Sequence, residues 1–241
     1  MRDSKIEFEE IFGIDKEKFF SSYWQEYSAF THSHLIKQIF NHLKFEYIID
    51  LINQGMELDD FSILREGRYC QPHSYMKNGL LSIDAITHLY EKEETTIYIK
   101  RLEKYDPEIE SITRYLSQDL YPVVFQTCLF LSAKNQFALD AHFDAHDAFI
   151  IQVNGEKKWK IWPSIIEDLP SLSAPSLYTS EVKEFAALTP PIAEYNLHPG
   201  EILYLPRNTV HQPVPTGERS AHLNMWMIPP KLKAFSKNNY A

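Results

Sequence analysis

The feature that most constrains the fold is a series of short strand-like segments in the second half of the chain. Each segment is rich in apolar residues, and turn-forming residues separate it from the next. The segments are Pro122–Leu131, Asp147–Val153, Lys157–Trp162, Glu201–Leu205 and Ser220–Ile228. Many short strands with non-local pairing indicate a β-sandwich or barrel, and we predict a mostly β core of jelly-roll type over residues 121–230.

The first half of the chain has a different pattern. Aromatic residues recur at helical spacing from Phe19 to Tyr27, and Asp106-Pro107 is a strong helix start, with a capping side chain followed by proline in the first turn. We therefore predict that residues 1–120 form an N-terminal, mainly helical region that packs on the core.

Two segments fall outside this division. Residues 163–191 are rich in Ser, Pro and Leu, and we predict an insertion between barrel strands that is long enough to act as a lid. Residues 231–241 are predicted to be a short tail.

Composition restricts the partners. The net charge of −9 disfavours a nucleic-acid phosphate backbone as partner, and no apolar run is long enough to span a bilayer. The acidic start lacks the apolar core of a signal peptide, and the two cysteines, Cys70 and Cys128, stand in separate contexts that match neither a disulfide framework nor a zinc site. We expect a cytoplasmic protein that binds neither nucleic acid nor membrane.

A candidate metal site begins at His142-Phe-Asp144. In extended backbone, residues i and i+2 project from the same face, so the imidazole and the carboxylate can reach one ion. A chain with 10 His yields roughly half of one such triplet by chance, so a third ligand is required. His211 is the candidate, because it follows a strand and a tight turn. His146 shares the strand parity of His142 and is the alternative pocket-lining histidine.

Two His and one carboxylate on one face of a metal leave other coordination positions open, the arrangement typical of non-haem iron(II) oxygenases. The surrounding sequence resembles one such family. The stretch from His142 to Trp162 is similar to the core of the JmjC-type cupin oxygenases related to the ribosomal oxygenases, with its His-x-Asp, its apolar strand ending in Gln, its Gly turn and its basic residue before Trp.

Further motifs extend this resemblance over most of the chain. The run from His198 to His211 is similar to the family's Pro-Gly-Asp-x-Leu-Tyr-x-Pro segment with its distal His, and Ser220-Ala-His-Leu-Asn224 resembles the family's closing strand. A weaker similarity joins Phe19-Phe-Ser-Ser-Tyr-Trp24 to the family's N-terminal helix.

The resemblance implies a double-stranded β-helix (cupin) core and a set of functional residues. It assigns iron(II) to His142, Asp144 and His211, and it assigns the distal carboxylate of the cosubstrate 2-oxoglutarate to Lys157. A cation on the strand after the metal strand can anchor that carboxylate by a charge-assisted hydrogen bond. Thr127 and Asn224 are further candidates for the cosubstrate site.

The implied activity is a dioxygenase reaction in which molecular oxygen and 2-oxoglutarate are consumed and a substrate is hydroxylated. Three alternatives stay open: hydroxylation of a side chain in a protein or peptide, the same chemistry on a free amino acid or small metabolite, and a metal-binding cupin without oxygenase activity. Hydroxylation of a methyl group on nitrogen would result in demethylation.

The sequence departs from the ribosomal members after the barrel. Those proteins continue into helical dimerisation and winged-helix regions, whereas here only a short basic tail follows Pro229. This difference counts against a ribosomal-protein substrate and leaves the oligomeric state open.

Overall fold

The architecture was taken from a computed structural model that describes residues 6–135, 139–165 and 180–229. Its helices are α1 (Phe8–Phe12), α2 (Lys16–Ser22), α3 (His34–Ile39), α4 (Phe45–Asn53), α5 (Ile83–Lys92), α6 (Pro107–Asp119) and α7 (Ser180–Leu188). Four single-turn 3₁₀ helices also lie in the described part of the chain: Phe40–His42, Leu58–Asp60, Pro72–Ser74 and Leu102–Lys104.

The strands form the larger part of the fold. They are β1 (Ala29–His32), β2 (Phe61–Arg65), β3 (Arg68–Tyr69), β4 (Met76–Lys77), β5 (Leu80–Leu81), β6 (Thr96–Lys100), β7 (Val124–Ser132), β8 (Asp147–Asn154), β9 (Lys157–Trp162), β10 (Ala193–Leu197), β11 (Glu201–Leu205), β12 (Val210–Pro215) and β13 (Ser220–Ile228). The prediction of a mostly β core is confirmed.

Two antiparallel sheets make up the core. The large sheet has the order β1-β11-β8-β13-β7-β6-β2-β3, and the small sheet has the order β10-β9-β12. Most neighbours along the run β1-β11-β8-β13-β7 are distant in sequence, so the strands wind as a jelly roll rather than as a meander. A separate β4–β5 hairpin completes the strand set of the described residues.

Alternation along each strand gives the large sheet two different faces. The outer face of β7 carries Phe125, Leu129 and Leu131, which pack in the main hydrophobic core together with residues of the N-terminal helices, such as Phe12 and Phe19. The inner face faces the small sheet, because the inner residue Ser132 accepts a hydrogen bond from Lys157 of β9. The functional side chains lie between the two sheets.

The N-terminal region contributes strands as well as helices. β1, β2 and β6 all precede residue 121 and hydrogen-bond within the same large sheet as β7, β8, β11 and β13. The division at residue 120 thus stays a prediction about domain organisation, while the sheet itself crosses it.

Parts of the predicted insertion and tail lie outside the described residues. Residues 166–179 of the 163–191 segment are not described, and neither are residues 230–241. The described end of the insertion contains α7. Within the described ranges no helix combines the length and apolar character that a membrane crossing requires.

Candidate metal centre and its surroundings

His142, Asp144 and His211 come together between the sheets. All three are buried, and one potential ligand atom from each lies within 4.8 Å of the others. Among the described residues, this is the group of His, Cys, Asp and Glu side chains with the geometry to hold a metal ion. The sequence prediction brought the same three residues together.

Backbone pairing explains why two histidines distant in sequence meet. His142 and His211 form an isolated antiparallel bridge, with hydrogen bonds of 3.0 Å from His142 N–H to His211 O and 2.7 Å from His211 N–H to His142 O. The turn before His211 is also bonded to the backbone of Asp144, because Asn208 N–H donates to the backbone carbonyl oxygen of Asp144 at 2.9 Å.

Both imidazole rings are oriented by a hydrogen bond from Nδ1 to a backbone carbonyl oxygen. Nδ1 of His142 lies 2.8 Å from the carbonyl oxygen of Asp140, and Nδ1 of His211 lies 2.8 Å from the carbonyl oxygen of Thr209. Because a carbonyl oxygen only accepts, each Nδ1 donates a proton to it, and Nε2 is the nitrogen that remains for a metal. This is the form in which imidazole binds a metal.

The protonation states suit a metal site. Burial, followed by the proximity of His211, lowers the pKa of His142 to about 4. His142 is therefore neutral at physiological pH and needs to release no proton before it binds an ion. Two imidazoles and one carboxylate fit a divalent transition metal that keeps open positions.

Lys157 is also buried between the two sheets. Its side chain is 1% exposed, and Nζ donates to Oγ of Ser132 at 3.0 Å. Burial lowers the pKa of this lysine to about 8. No carboxylate of the described residues forms an ion pair with it, whereas its neighbour Lys158 faces outward and pairs with Glu194. The site thus contains a buried cation that lacks an anion.

Trp159 and His222 lie close to the metal group and to Lys157. The Trp159 ring is 5.9 Å from the His211 ring and 5.2 Å from the His222 ring, where it makes an edge-on contact. Burial, followed by the charge of Lys157, lowers the pKa of His222, so this ring is neutral. The two buried rings therefore lie close to both the metal group and the cation.

The structure places the two remaining predicted residues on opposite faces. Asn224 shares the inner face of β13 with His222 and is 5% exposed, and its Oδ1 has no hydrogen-bond partner among the described residues. Thr127 has the parity of the outward-facing Phe125 and Leu129, and its hydroxyl donates to Glu103 at 2.5 Å. Thr127 thus lies on the face of β7 opposite the one that carries Ser132.

Sequence reasoning missed Ser132, the residue on β7 that does contact Lys157. Ser132 also accepts a hydrogen bond from the Thr96 hydroxyl at 3.1 Å. Strand parity alone separates Ser132 from Thr127, because odd and even positions of β7 face opposite sides. The sequence does not reveal which parity faces inward until the partner strands are known.

His146 lies near the metal group but outside it. Burial lowers its pKa, and its ring lies 6.4 Å from that of Trp226, which is on the inner face of β13. It therefore lies close to Asp144 and to the inner face of β13, and its role as a pocket-lining residue stays a prediction.

Comparison with known proteins identifies a family whose model matches this chain. The family model described as JmjC domain matches residues 104–235. Among curated proteins, the chain is 30% identical over 128 residues to a bifunctional lysine-specific demethylase and histidyl-hydroxylase NO66 of Culex quinquefasciatus, covering 52% of this chain and 18% of that protein. It is 25% identical over 146 residues to ribosomal oxygenase 2 of Bos taurus, covering 61% of this chain and 29% of that protein.

Solved structures show the same fold. The ribosomal oxygenase YcfD of Escherichia coli, in complex with cobalt and 2-oxoglutarate, aligns with a TM-score of 0.58 at 16% identity over 94% of this chain and 53% of that one. The chain thus spans less than a third of the length of the two curated relatives and about half of this structural neighbour.

Proposed function

The chain belongs to the JmjC domain family, and from that membership and the site geometry we propose that it is an iron(II)- and 2-oxoglutarate-dependent oxygenase. The observation that carries the proposal is the pairing of a His–Asp–His group with a buried lysine that has no carboxylate partner among the described residues. A buried charge without a partner is costly, so Lys157 indicates that an anionic ligand belongs in this space. The complex of the structural neighbour with cobalt and 2-oxoglutarate supports the same assignment.

His142, Asp144 and His211 would hold the iron. The bound iron, with 2-oxoglutarate and oxygen, supplies the oxidising chemistry that converts 2-oxoglutarate to succinate and carbon dioxide and hydroxylates a C–H bond. The two backbone carbonyls that accept from the histidine Nδ1 atoms hold the rings in the ligating orientation.

Lys157 and Ser132 would bind the distal carboxylate of 2-oxoglutarate. The ammonium group has three donors, of which Ser132 takes one, so two donors can face a carboxylate. The buried Trp159 and His222 rings lie beside this site and would help to exclude water from it. Asn224 would contribute its side-chain amide near the metal end of the cosubstrate.

We further propose that the hydroxylated group is an amino-acid side chain in a protein or peptide. The support is the names of the relatives, a histidyl-hydroxylase and a ribosomal oxygenase, which designate protein substrates. The same chemistry on a free amino acid or small metabolite is the competing substrate class.

Succinate formation tests both the oxygenase activity and the proposed class of substrate. The protein is incubated with iron(II), 2-oxoglutarate and oxygen, alone and with either a mixed peptide pool or a mixture of the free amino acids. We expect succinate formation that the peptide pool stimulates and that Asp144→Ala abolishes. Stimulation by free amino acids alone would refute the protein-substrate proposal, and no succinate under any condition would refute the oxygenase.

A further inference from the structure

The segment that carries two of the proposed metal ligands lies outside the named strands. His142 and Asp144 precede β8, and the backbone contacts of this stretch include the isolated His142–His211 bridge and the Asn208 to Asp144 hydrogen bond. Because the stretch is not part of a long strand, side-chain packing from outside contributes to holding the ligands in position.

Helix α7 supplies that packing. Period-two alternation sends His142 and Asp144 inward, and it sends Ala141 and Phe143 outward into a cluster with Val182 of α7. The cluster also contains Trp162 and Val210, the residue directly before His211. The helix thus covers the outward neighbours of all three ligands.

Two polar contacts fix α7 in place. The Trp162 Nε1–H donates to the carbonyl oxygen of Thr189, just beyond the end of the helix, at 2.7 Å. Lys183 forms an ion pair with the carboxylate of Asp140. Asp140 is the residue whose carbonyl oxygen accepts the Nδ1–H of His142.

Asp140 is confined from a second side. Gly67, in the β2–β3 turn with φ +74°, has no side chain, and a Cβ there would lie 3.0 Å from Oδ2 of Asp140. The Asp140 side chain is therefore held between the hairpin backbone and Lys183. A shift of Asp140 would move the carbonyl group that orients the His142 ring.

We propose that α7 is a positioning element of the metal centre, with Lys183 acting on His142 through Asp140 and Val182 packing against the residues beside the ligands. Lys183 and Val182 do not touch the metal, so they set its affinity and coordination geometry through the ligands. This inference rests on the proposed metal site and adds a role for the described end of the insertion.

Cobalt(II) is the probe that tests the inference without turnover, because its absorption spectrum reports coordination geometry. The variants are Lys183→Ala, Lys183→Glu, which places a like charge beside Asp140, and Lys183→Arg, which preserves the ion pair. Glu184→Ala is the matched control, as Glu184 is the exposed neighbour on the same helix. Each full-length variant is titrated with cobalt(II), and its thermal unfolding without metal is recorded.

We expect Lys183→Ala to raise the cobalt dissociation constant about tenfold, the lower end of the effect of residues that orient metal ligands, and to alter the spectrum at saturation. Lys183→Glu should weaken binding further, whereas Lys183→Arg and Glu184→Ala should bind as the wild type does. Metal-free unfolding temperatures should stay close to that of the wild type, because the ion pair is half exposed.

Two results would overturn the inference. Wild-type affinity and spectrum in Lys183→Ala and Lys183→Glu would remove the positioning role and leave the metal site intact. Failure of the wild type to bind cobalt(II) at all would remove the proposed metal site, and the inference with it.

Discussion

At the scale of single residues, the buried charge of Lys157 is the most informative feature. Its ammonium group is buried away from solvent and donates a hydrogen bond to the Ser132 hydroxyl. Lys158, one position along β9, has the same charge and faces solvent, where it pairs with Glu194. The two lysines form a matched pair for mutation, since they differ in the face of the strand on which they lie.

We predict that Lys157→Ala raises the dissociation constant of 2-oxoglutarate roughly 10- to 100-fold, because a hydrogen bond to a charged group contributes about 1.5–3 kcal/mol. Iron(II) affinity should not change. Lys158→Ala should leave both affinities at the wild-type value. Isothermal titration with each ligand, under anaerobic conditions, measures both, and equal losses in the two variants would contradict the assignment of Lys157.

The pKa of Lys157 predicts a pH dependence of cosubstrate binding. Burial lowers this pKa to about 8, so above pH 8 the lysine of the free protein is mostly neutral and must take up a proton when it binds a carboxylate. The dissociation constant of 2-oxoglutarate should therefore rise with pH above 8, approaching about tenfold per pH unit.

Lys157→Arg is the control for that dependence, because a guanidinium group stays charged throughout this range. Its 2-oxoglutarate affinity should be nearly flat from pH 7 to 10. A flat profile in the wild-type protein would show that the lysine charge does not bind the cosubstrate.

The two hydroxyl residues of β7 lie on opposite faces of the sheet: Ser132 on the inner face and Thr127 on the outer face. Variants of the two therefore test which face binds the cosubstrate. Ser132→Ala removes the inner hydroxyl beside Lys157 and should weaken 2-oxoglutarate binding about fivefold, equivalent to about 1 kcal/mol. Thr127→Val should leave that affinity unchanged and lower the unfolding free energy by about 1 kcal/mol, since the hydroxyl bonds to Glu103. Weaker cosubstrate binding in Thr127→Val would show instead that Thr127 contributes to the cosubstrate site.

At the scale of elements, the β8–β9 turn determines where Lys157 lies. Gly155 adopts φ +60°, and a Cβ there would overlap the carbonyl oxygen of Arg219. Gly155 and Asn154 also accept hydrogen bonds from the Gln152 side chain through their carbonyl oxygens. The turn therefore tolerates no side chain at residue 155.

We predict that Gly155→Ala lowers the unfolding free energy by about 2–4 kcal/mol, the sum of left-handed backbone strain and overpacking. Gly79→Ala is the control, because Gly79 has φ +79° with no atom within 4 Å of a Cβ, and it should cost about 1 kcal/mol. Urea unfolding of both variants checks the difference. Equal losses would show that the contact with Arg219 contributes nothing.

The strands also show how much of the fold could be predicted from the sequence. The bounds of β9, β11 and β13 coincide with the predicted strands, because each carries a dense apolar or aromatic pattern. β12 was not predicted as a strand, and its Pro213 and Pro215 weaken the strand pattern. It lies at the edge of the small sheet, where the missing N–H groups break no ladder.

At the scale of the whole molecule, the candidate site could be predicted where residue type and spacing limit the chemistry. The His142–Asp144 pair, His211 and Lys157 carry such constraints and meet between the sheets. Asn224 and Thr127 do not, because their roles depend on which face of a strand points inward. The support by α7 also lies beyond sequence reasoning, since it arises from the packing of Val182 against residues about 40 positions earlier in the chain.

The sheet itself likewise depends on long-range pairing. β1 joins β11 at one edge, and β2 and β6 extend the other, although the first half of the chain was predicted to be mainly helical. Short strands such as β1, with four residues, carry too little pattern to be recognised before their partners are known.

The central claim is that His142, Asp144, His211 and Lys157 together bind iron(II) and 2-oxoglutarate. Anaerobic titration of the protein with both ligands tests it most directly, because a keto acid chelated to iron(II) produces a metal-to-ligand charge-transfer absorption band. We predict a saturable band in the wild type, a band that requires much more 2-oxoglutarate in Lys157→Ala, and no band in Asp144→Ala. The absence of a band from the wild-type protein at saturating iron(II) and 2-oxoglutarate would contradict the claim.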